Sequence, residues 1–247
     1  MQTNTHTSTK IVIGLIIIAL IGTGLWYVRI LRFRAGTWMP YIAIGRQAGD
    51  LPRLERPAQF PAEFPPEART IVENKIAADR AKLAENPRDA DALLDLAIQY
   101  KIAGDIRGAI EIWVYMTEVF KGESVPYHNL GSVYHLELKE YEKSESYYKQ
   151  AIDVNPTMSI NYIGLHELYR YSYKTDTTLA VDILQEGIGK IDTRGKLDLY
   201  TTLGGYYVEK GDKPAAISAY TEARKLARGL GNTGILSNIE AELSRLK

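Results

Sequence analysis

The sequence predicts an all-α protein: an α-solenoid of about four stacked helix pairs with flanking helices, preceded by one N-terminal transmembrane helix. Three observations carry this. An uncharged apolar run occupies residues 11–28. A leucine–tyrosine pattern then recurs four times, with Tyr100, Tyr134, Tyr169 and Tyr207 separated by 34, 35 and 38 residues. Behind each recurrence, small and large residues fall at i, i+4 and i+7, one face of an α-helix.

Composition sets the outer bounds. Within 247 residues, Lys+Arg and Asp+Glu balance at 30 each, so no global field points to nucleic acid or to an acidic partner. There is no cysteine, which removes disulfides, thiolate metal sites and thiol nucleophiles together. Seventeen tyrosines against four phenylalanines call for a reason.

After a short tail (1–10), the run "IVIGLIIIALIGTGLWYV" spans roughly 27 Å as a helix at about 1.5 Å per residue, near the thickness of a bilayer's hydrocarbon core. Trp26 and Tyr27 suit an interface, and Arg29 can snorkel. The expectation is an uncleaved single-pass anchor over 11–31; a cleaved signal peptide and a buried helix are the alternatives. Arg29, Arg32 and Arg34 outnumber Lys10 across the run. The positive-inside tendency then puts the C-terminal domain in the cytoplasm, the extracytoplasmic side being the alternative.

Residues 32–66 read as a juxtamembrane and linker region. Trp38, Tyr41 and Ile44 suit either a membrane interface or a short loop. Pro52, Pro57, Pro61, Pro65 and Pro66 forbid a regular helix or central strand. This stretch is either a semi-stiff spacer or a segment folded back on the next domain through Phe60 and Phe64.

The domain at 67–247 opens with a helix over 67–86. Repeats follow at about 90–123, 124–158, 159–196 and 197–230. Their first helices align as "LLDLAIQY" (93–100), "YHNLGSVY" (127–134), "YIGLHELY" (162–169) and "YTTLGGYY" (200–207). Their second helices are marked by Ala109/Trp113/Met116, Ser144/Tyr148/Ala151, Ala180/Leu184/Gly187 and Ala216/Tyr220/Ala223. Gly104-Asp105 and Gly211-Asp212 supply a helix-ending glycine and a capping aspartate, and Pro126 and Pro214 fit a first helical turn. A terminal helix over 234–247 should bury Ile235, Ile239 and Leu243 and turn Glu240, Glu242 and Arg245 to water.

This pattern resembles the tetratricopeptide repeat (TPR) family. Repeat two carries it most fully through Tyr127, Leu130, Gly131, Tyr134, Tyr141, Tyr148, Ala151 and Pro156. His166 replaces the small residue of repeat three, Ser144 replaces an alanine in repeat two, and "RYSYKTDTTLA" (170–180) lengthens the third turn. Repeat three is therefore expected to be the least regular, with its helix pair splayed. In such repeats neither helix pair buries its apolar face alone, so neighbours share stability. The tyrosines read as repeat spacers whose hydroxyls reach water or a carbonyl.

No chemistry-bearing constellation emerges. His128 and His135 lie seven apart, and a helical metal site prefers ligands four apart with further donors; they read as exposed groove histidines. Gly187-Ile188-Gly189 lacks the strand a phosphate loop requires. Neither a basic stripe nor an aromatic stacking platform for nucleic acid is present, and no catalytic residue, cofactor, metal or small-molecule substrate is expected.

The resemblance implies that first helices line a concave groove holding a partner's peptide or helix. By register that face comprises Leu94, Ile98, Lys101, His128, Asn129, Ser132, His135, Ile163, Glu167, Arg170, Thr201, Gly205 and Val208. TPR domains that hold a chaperone's C-terminal carboxylate want Lys, Lys and Arg where this chain has His128, Ile160 and Gly164; only Asn129 matches. The resulting expectation is a membrane-anchored adaptor or scaffold with a protein partner. The alternatives are a structural or assembly subunit of an envelope complex and a non-catalytic accessory chain of a membrane enzyme.

Overall fold

Helix begins where the prolines end. The structure, a computed structural model, describes residues 57–247, all within one unit, Arg46–Lys247. The first helix, α1 (Pro66–Glu85), carries Pro66 at a position where the missing amide is no loss. Nine more helices follow: α2 (Ala90–Ile102), α3 (Ile106–Val119), α4 (Val125–Leu136), α5 (Tyr141–Val154), α6 (Ser159–Tyr171), α7 (Leu179–Lys190), α8 (Thr193–Glu209), α9 (Lys213–Gly229) and α10 (Thr233–Arg245). Among the described residues there is no strand. No described helix is long and apolar enough to cross a membrane. The span expected at 11–31, and the linker up to residue 56, lie outside the described residues.

Helix boundaries follow the local chemistry. Asp89, Asp105, Asp192, Asp212 and Asn232 each accept a hydrogen bond from a first-turn amide, satisfying a donor that the helix itself leaves orphaned. Gly104 and Gly211 adopt φ of 84° and 74°, a left-handed conformation that a side chain would strain.

Consecutive helices pack as antiparallel pairs, and the first helices also touch along the stack, α4 against α6 and α6 against α8. Every second-helix position singled out by periodicity is buried, from Ala109, Trp113 and Met116 in α3 to Ala216, Tyr220 and Ala223 in α9. Leu96, Leu130, Leu165 and Leu203 are buried too, as are Tyr100, Tyr134 and Tyr169; Tyr207 is only half-buried. Glycine is required where α4 meets α5. A Cβ on Gly131 would stand 2.7 Å from the Tyr148 ring, and one on Gly164, in α6, 2.4 Å from the same ring. Tyr148 is thus the wedge between two first helices.

Tyrosine hydroxyls find partners that phenylalanine could not use. Tyr127 donates to the Thr117 carbonyl, Tyr162 to the Pro156 carbonyl and Tyr169 to the Glu145 carboxylate, while Tyr100 accepts from Arg80. Ser144, in an alanine position, donates to the Gly131 carbonyl at 2.8 Å and so stays buried without an orphaned hydroxyl. His166 is fully buried; its Nδ1–H donates to the Ala180 carbonyl at 2.7 Å, which leaves Nε2 as an acceptor with no protein partner. The turn after α6 runs from Ser172 to Thr178, the longest between paired helices, yet α6 and α7 still meet closely where Gly187 faces Tyr162.

Of the two readings of the proline-rich stretch, its described part follows the second. Pro61 lies against Gly104, the Gln59 amide donates to Asp105, Phe60 and Phe64 meet edge-on at 5.0 Å, and Arg69 covers the Phe60 ring. The spacer reading therefore does not hold for residues 57–64, because apolar side chains and a buried cap draw the chain onto the α2–α3 turn. The terminal helix α10 buries Ile239 and Leu243, with Ile235 half-buried against the same cluster.

Candidate functional site

The face built by the first helices α2, α4, α6 and α8 is where the register places a groove. Leu94, Ile98 and Lys101 of α2 are half-buried. In α4, burial, reinforced by the nearby Lys101 ammonium, holds the His128 imidazole down at about 4, so it is neutral at physiological pH. The His128 ring lies edge-on to Tyr148 at 5.4 Å. Burial, reinforced by the nearby Glu167 carboxylate, pushes the Tyr148 phenol up. The wedge tyrosine thus packs against His128 of one repeat and Gly164 of the next.

Farther along, Glu167 is exposed and Ile163 packs on the core beneath. Arg170 pairs with Glu209 of α8 and lies over the rings of Tyr171 and Tyr206, at 4.6 and 5.6 Å. The Thr201 hydroxyl donates back to the Leu197 carbonyl, Asn129 and Gly205 are half-buried, and Val208 is exposed. His135 departs from the expectation of an exposed groove histidine: it is 5% exposed, its Nε2 sits 2.9 Å from the Ser172 hydroxyl, and Tyr141 meets it edge-on. The reason is the lengthened third turn, which lays Ser172 and Tyr173 across the end of α4 and α5.

Two features escaped the sequence reading. Glu145 of α5 accepts hydrogen bonds from Lys149 of its own helix and from Tyr169 and Lys174 of the next repeat. Burial opposes its ionisation, but those three donors outweigh it and hold the carboxyl at about 2. Second, the first helices end in exposed apolar side chains: Ile102, Leu136 and Tyr171, at 51%, 57% and 59%. Each lies two residues beyond its repeat tyrosine, a spacing visible in the sequence once the register is set.

Among the described residues, no three His, Asp or Glu side chains gather into a metal-binding group. The face offers neutral imidazole, hydroxyls, single charges and apolar patches.

Comparison with known proteins agrees with this architecture. The tetratricopeptide repeat family model matches residues 126–158. Among solved structures, MamA aligns with a TM-score of 0.50 at 20% identity, covering 67% of this chain and 94% of its own. TTC0263, a thermophilic TPR protein of Thermus thermophilus, aligns with a TM-score of 0.52 at 18% identity, covering 73% and 92%. No curated protein matches in sequence. The chain therefore carries a tetratricopeptide repeat, and its described domain has the fold of TPR proteins.

Proposed function

We propose that this chain is a membrane-anchored TPR scaffold that binds a partner's peptide or helix along its first-helix face. TPR folds are interaction modules, and the observation that carries the reading is the composition of that face. Four consecutive first helices present half-buried Leu94, Ile98, Lys101, His128, Asn129, Ser132, Ile163, Arg170 and Thr201, with Glu167 and Val208 exposed beside them. A groove that is part apolar and part singly charged suits an amphipathic segment better than a nucleic acid or a small substrate. The apolar run at 11–28 supports the anchor, and the arginines after it support a cytoplasmic domain. Tethering then raises the partner's effective concentration at the bilayer, so that a modest groove affinity suffices.

The test is charge reversal on the groove. Arg170 is a poor choice, since its pairing with Glu209 and its ring contacts make it part of the scaffold. Lys101→Glu with Glu167→Lys reverses two groove charges, and Glu222→Lys with Lys225→Glu reverses two on α9 as a control. Crosslinking from solubilised membranes should lose its partners in the first variant only. Identical partners in all three proteins would refute groove binding. Protease protection of the C-terminal domain in right-side-out spheroplasts is the expected result for the cytoplasmic assignment, and digestion would reverse it.

A further inference from the structure

Exposed apolar residues are commonplace singly, but these are not scattered. Of the large apolar side chains exposed among the described residues, Ile102, Leu136, Leu138, Tyr171 and Val208 all lie within three residues of the turn joining a first helix to its second; Ile160 and Leu230 lie at the opposite helix ends. These turns share one edge of the stack. His135 meets Ser172, Tyr141 meets Tyr173, Lys174 meets Glu145 and Arg170 meets Glu209, each a contact between adjacent repeats at that end. A lysine accompanies each turn: Lys101, Lys139, Lys174 and Lys210.

The incoming chain arrives at the same edge. Residues 57–64 pack on the first of these turns, through Pro61 on Gly104 and Gln59 on Asp105, and α1 starts there, with exposed Ile71 in its second turn. The described chain therefore enters the domain at the edge that carries the exposed apolar row.

We propose that this edge, Ile102–Leu136/Leu138–Tyr171–Val208, rests on the lipid surface, with the apolar side chains in the bilayer interface and the exposed Lys139 and Lys210 reaching the headgroups. The inference rests on the anchored reading. Lysine stems lie along apolar surface while their ammonium groups stay with water and phosphate, and tyrosine favours the interface. The edge also bears Glu137, Glu140 and Glu209, so its lipid contact is interfacial and apolar and does not depend on anionic lipid. One apolar side chain per repeat binds a membrane weakly, but a tethered edge needs little intrinsic affinity.

The absence of native cysteine allows a direct test on the full chain. Single variants Leu136→Cys, Tyr171→Cys, Leu230→Cys and Gly122→Cys, labelled with an environment-sensitive fluorophore, are reconstituted into phosphatidylcholine vesicles containing shallow nitroxide lipid. Leu230 is the matched exposed leucine on the opposite edge, and nothing lies within 4 Å of a Cβ at Gly122. Nitroxide quenching at positions 136 and 171 should exceed that at 230 and 122 by several-fold. Equal quenching at all four in chains that float with the vesicles overturns the edge assignment and leaves the anchor standing. A blue shift at 136 and 171 without quenching means that protein, not lipid, covers the edge, and overturns it as well. Chains that fail to float sink the anchor and the edge together.

Discussion

Adjacent glycines in α8 offer an internally controlled test of the repeat register. A Cβ on Gly204 would stand 2.7 Å from Cδ1 and Cε1 of Tyr220 and 2.9 Å from Cγ, whereas one on Gly205 would meet only the Tyr220 hydroxyl, at 3.7 Å. Both glycines are mid-helix, so alanine at either gains about 0.8–1.0 kcal/mol of helix propensity. At 205 the contact is ordinary, and that gain should appear as net stabilisation. At 204 the methyl collides with the rigid body of a ring that is 7% exposed. Overpacking of this kind costs about 1–3 kcal/mol. Propensity cancels between the two variants, so their difference reads the collision alone. At about 2–4 °C per kcal/mol for a chain of this size, Gly204→Ala should melt several degrees below Gly205→Ala. Far-UV circular dichroism of the full chain in detergent measures it, and Tyr220→Leu added to Gly204→Ala should recover part of the loss. Two variants shifting together, in the same direction and by the same amount, would refute the close helix contact on which the repeat assignment stands.

Acid titration should resolve two steps. His128 is held near 4 against an ordinary 6.5, so the unfolded chain takes up this proton first; stability contributed by His128 is present above pH 6.5 and lost as pH falls towards 4. His128→Gln should flatten urea midpoints across that window, apart from what His135 and His166, also lowered by burial, contribute. Glu145 acts lower: its stabilisation is present above 4.5 and lost as pH falls towards 2. Glu145→Gln should cost about 1.5–3 kcal/mol at neutral pH, the range for charged hydrogen bonds, and should abolish the lower step in the same titration.

Periodicity exposed the core because burial is what periodicity encodes. Leu96, Leu130 and Leu165 recur at a fixed place because each fills the same gap, and the glycine–aspartate turns declare themselves through φ and capping chemistry. The groove was less legible. Register says which way His135 points along α4, but not that a turn from the following repeat will cover it; that depends on two extra residues about thirty-five positions away. Glu145 reads as one more solvated glutamate in "KEYEKSESYYK", since its partners Tyr169 and Lys174 belong to the next repeat. The exposed row at 102, 136 and 171 was present in the pattern, but periodicity marks the positions that pack in the core, and these three side chains lie largely in water.

The irregularities of repeat three compensate one another. His166 takes the place of a small residue beneath Ala180, so at that level the pair is joined by a ring and a hydrogen bond, while Gly187 keeps the direct contact with Tyr162 farther along. The long turn that follows does not hang loose. It carries Ser172 to His135, Tyr173 to Tyr141 and Lys174 to Glu145, all in repeat two. Repeat three therefore leans on its predecessor for contacts that its own helix pair does not supply, as expected of a stack in which no unit is stable alone. Removing Glu145 should then loosen repeat three before repeat one. Amide exchange in Glu145→Gln should quicken in α6 and α7 while α2 and α3 keep their protection, and uniform loss along the stack would contradict this division of labour.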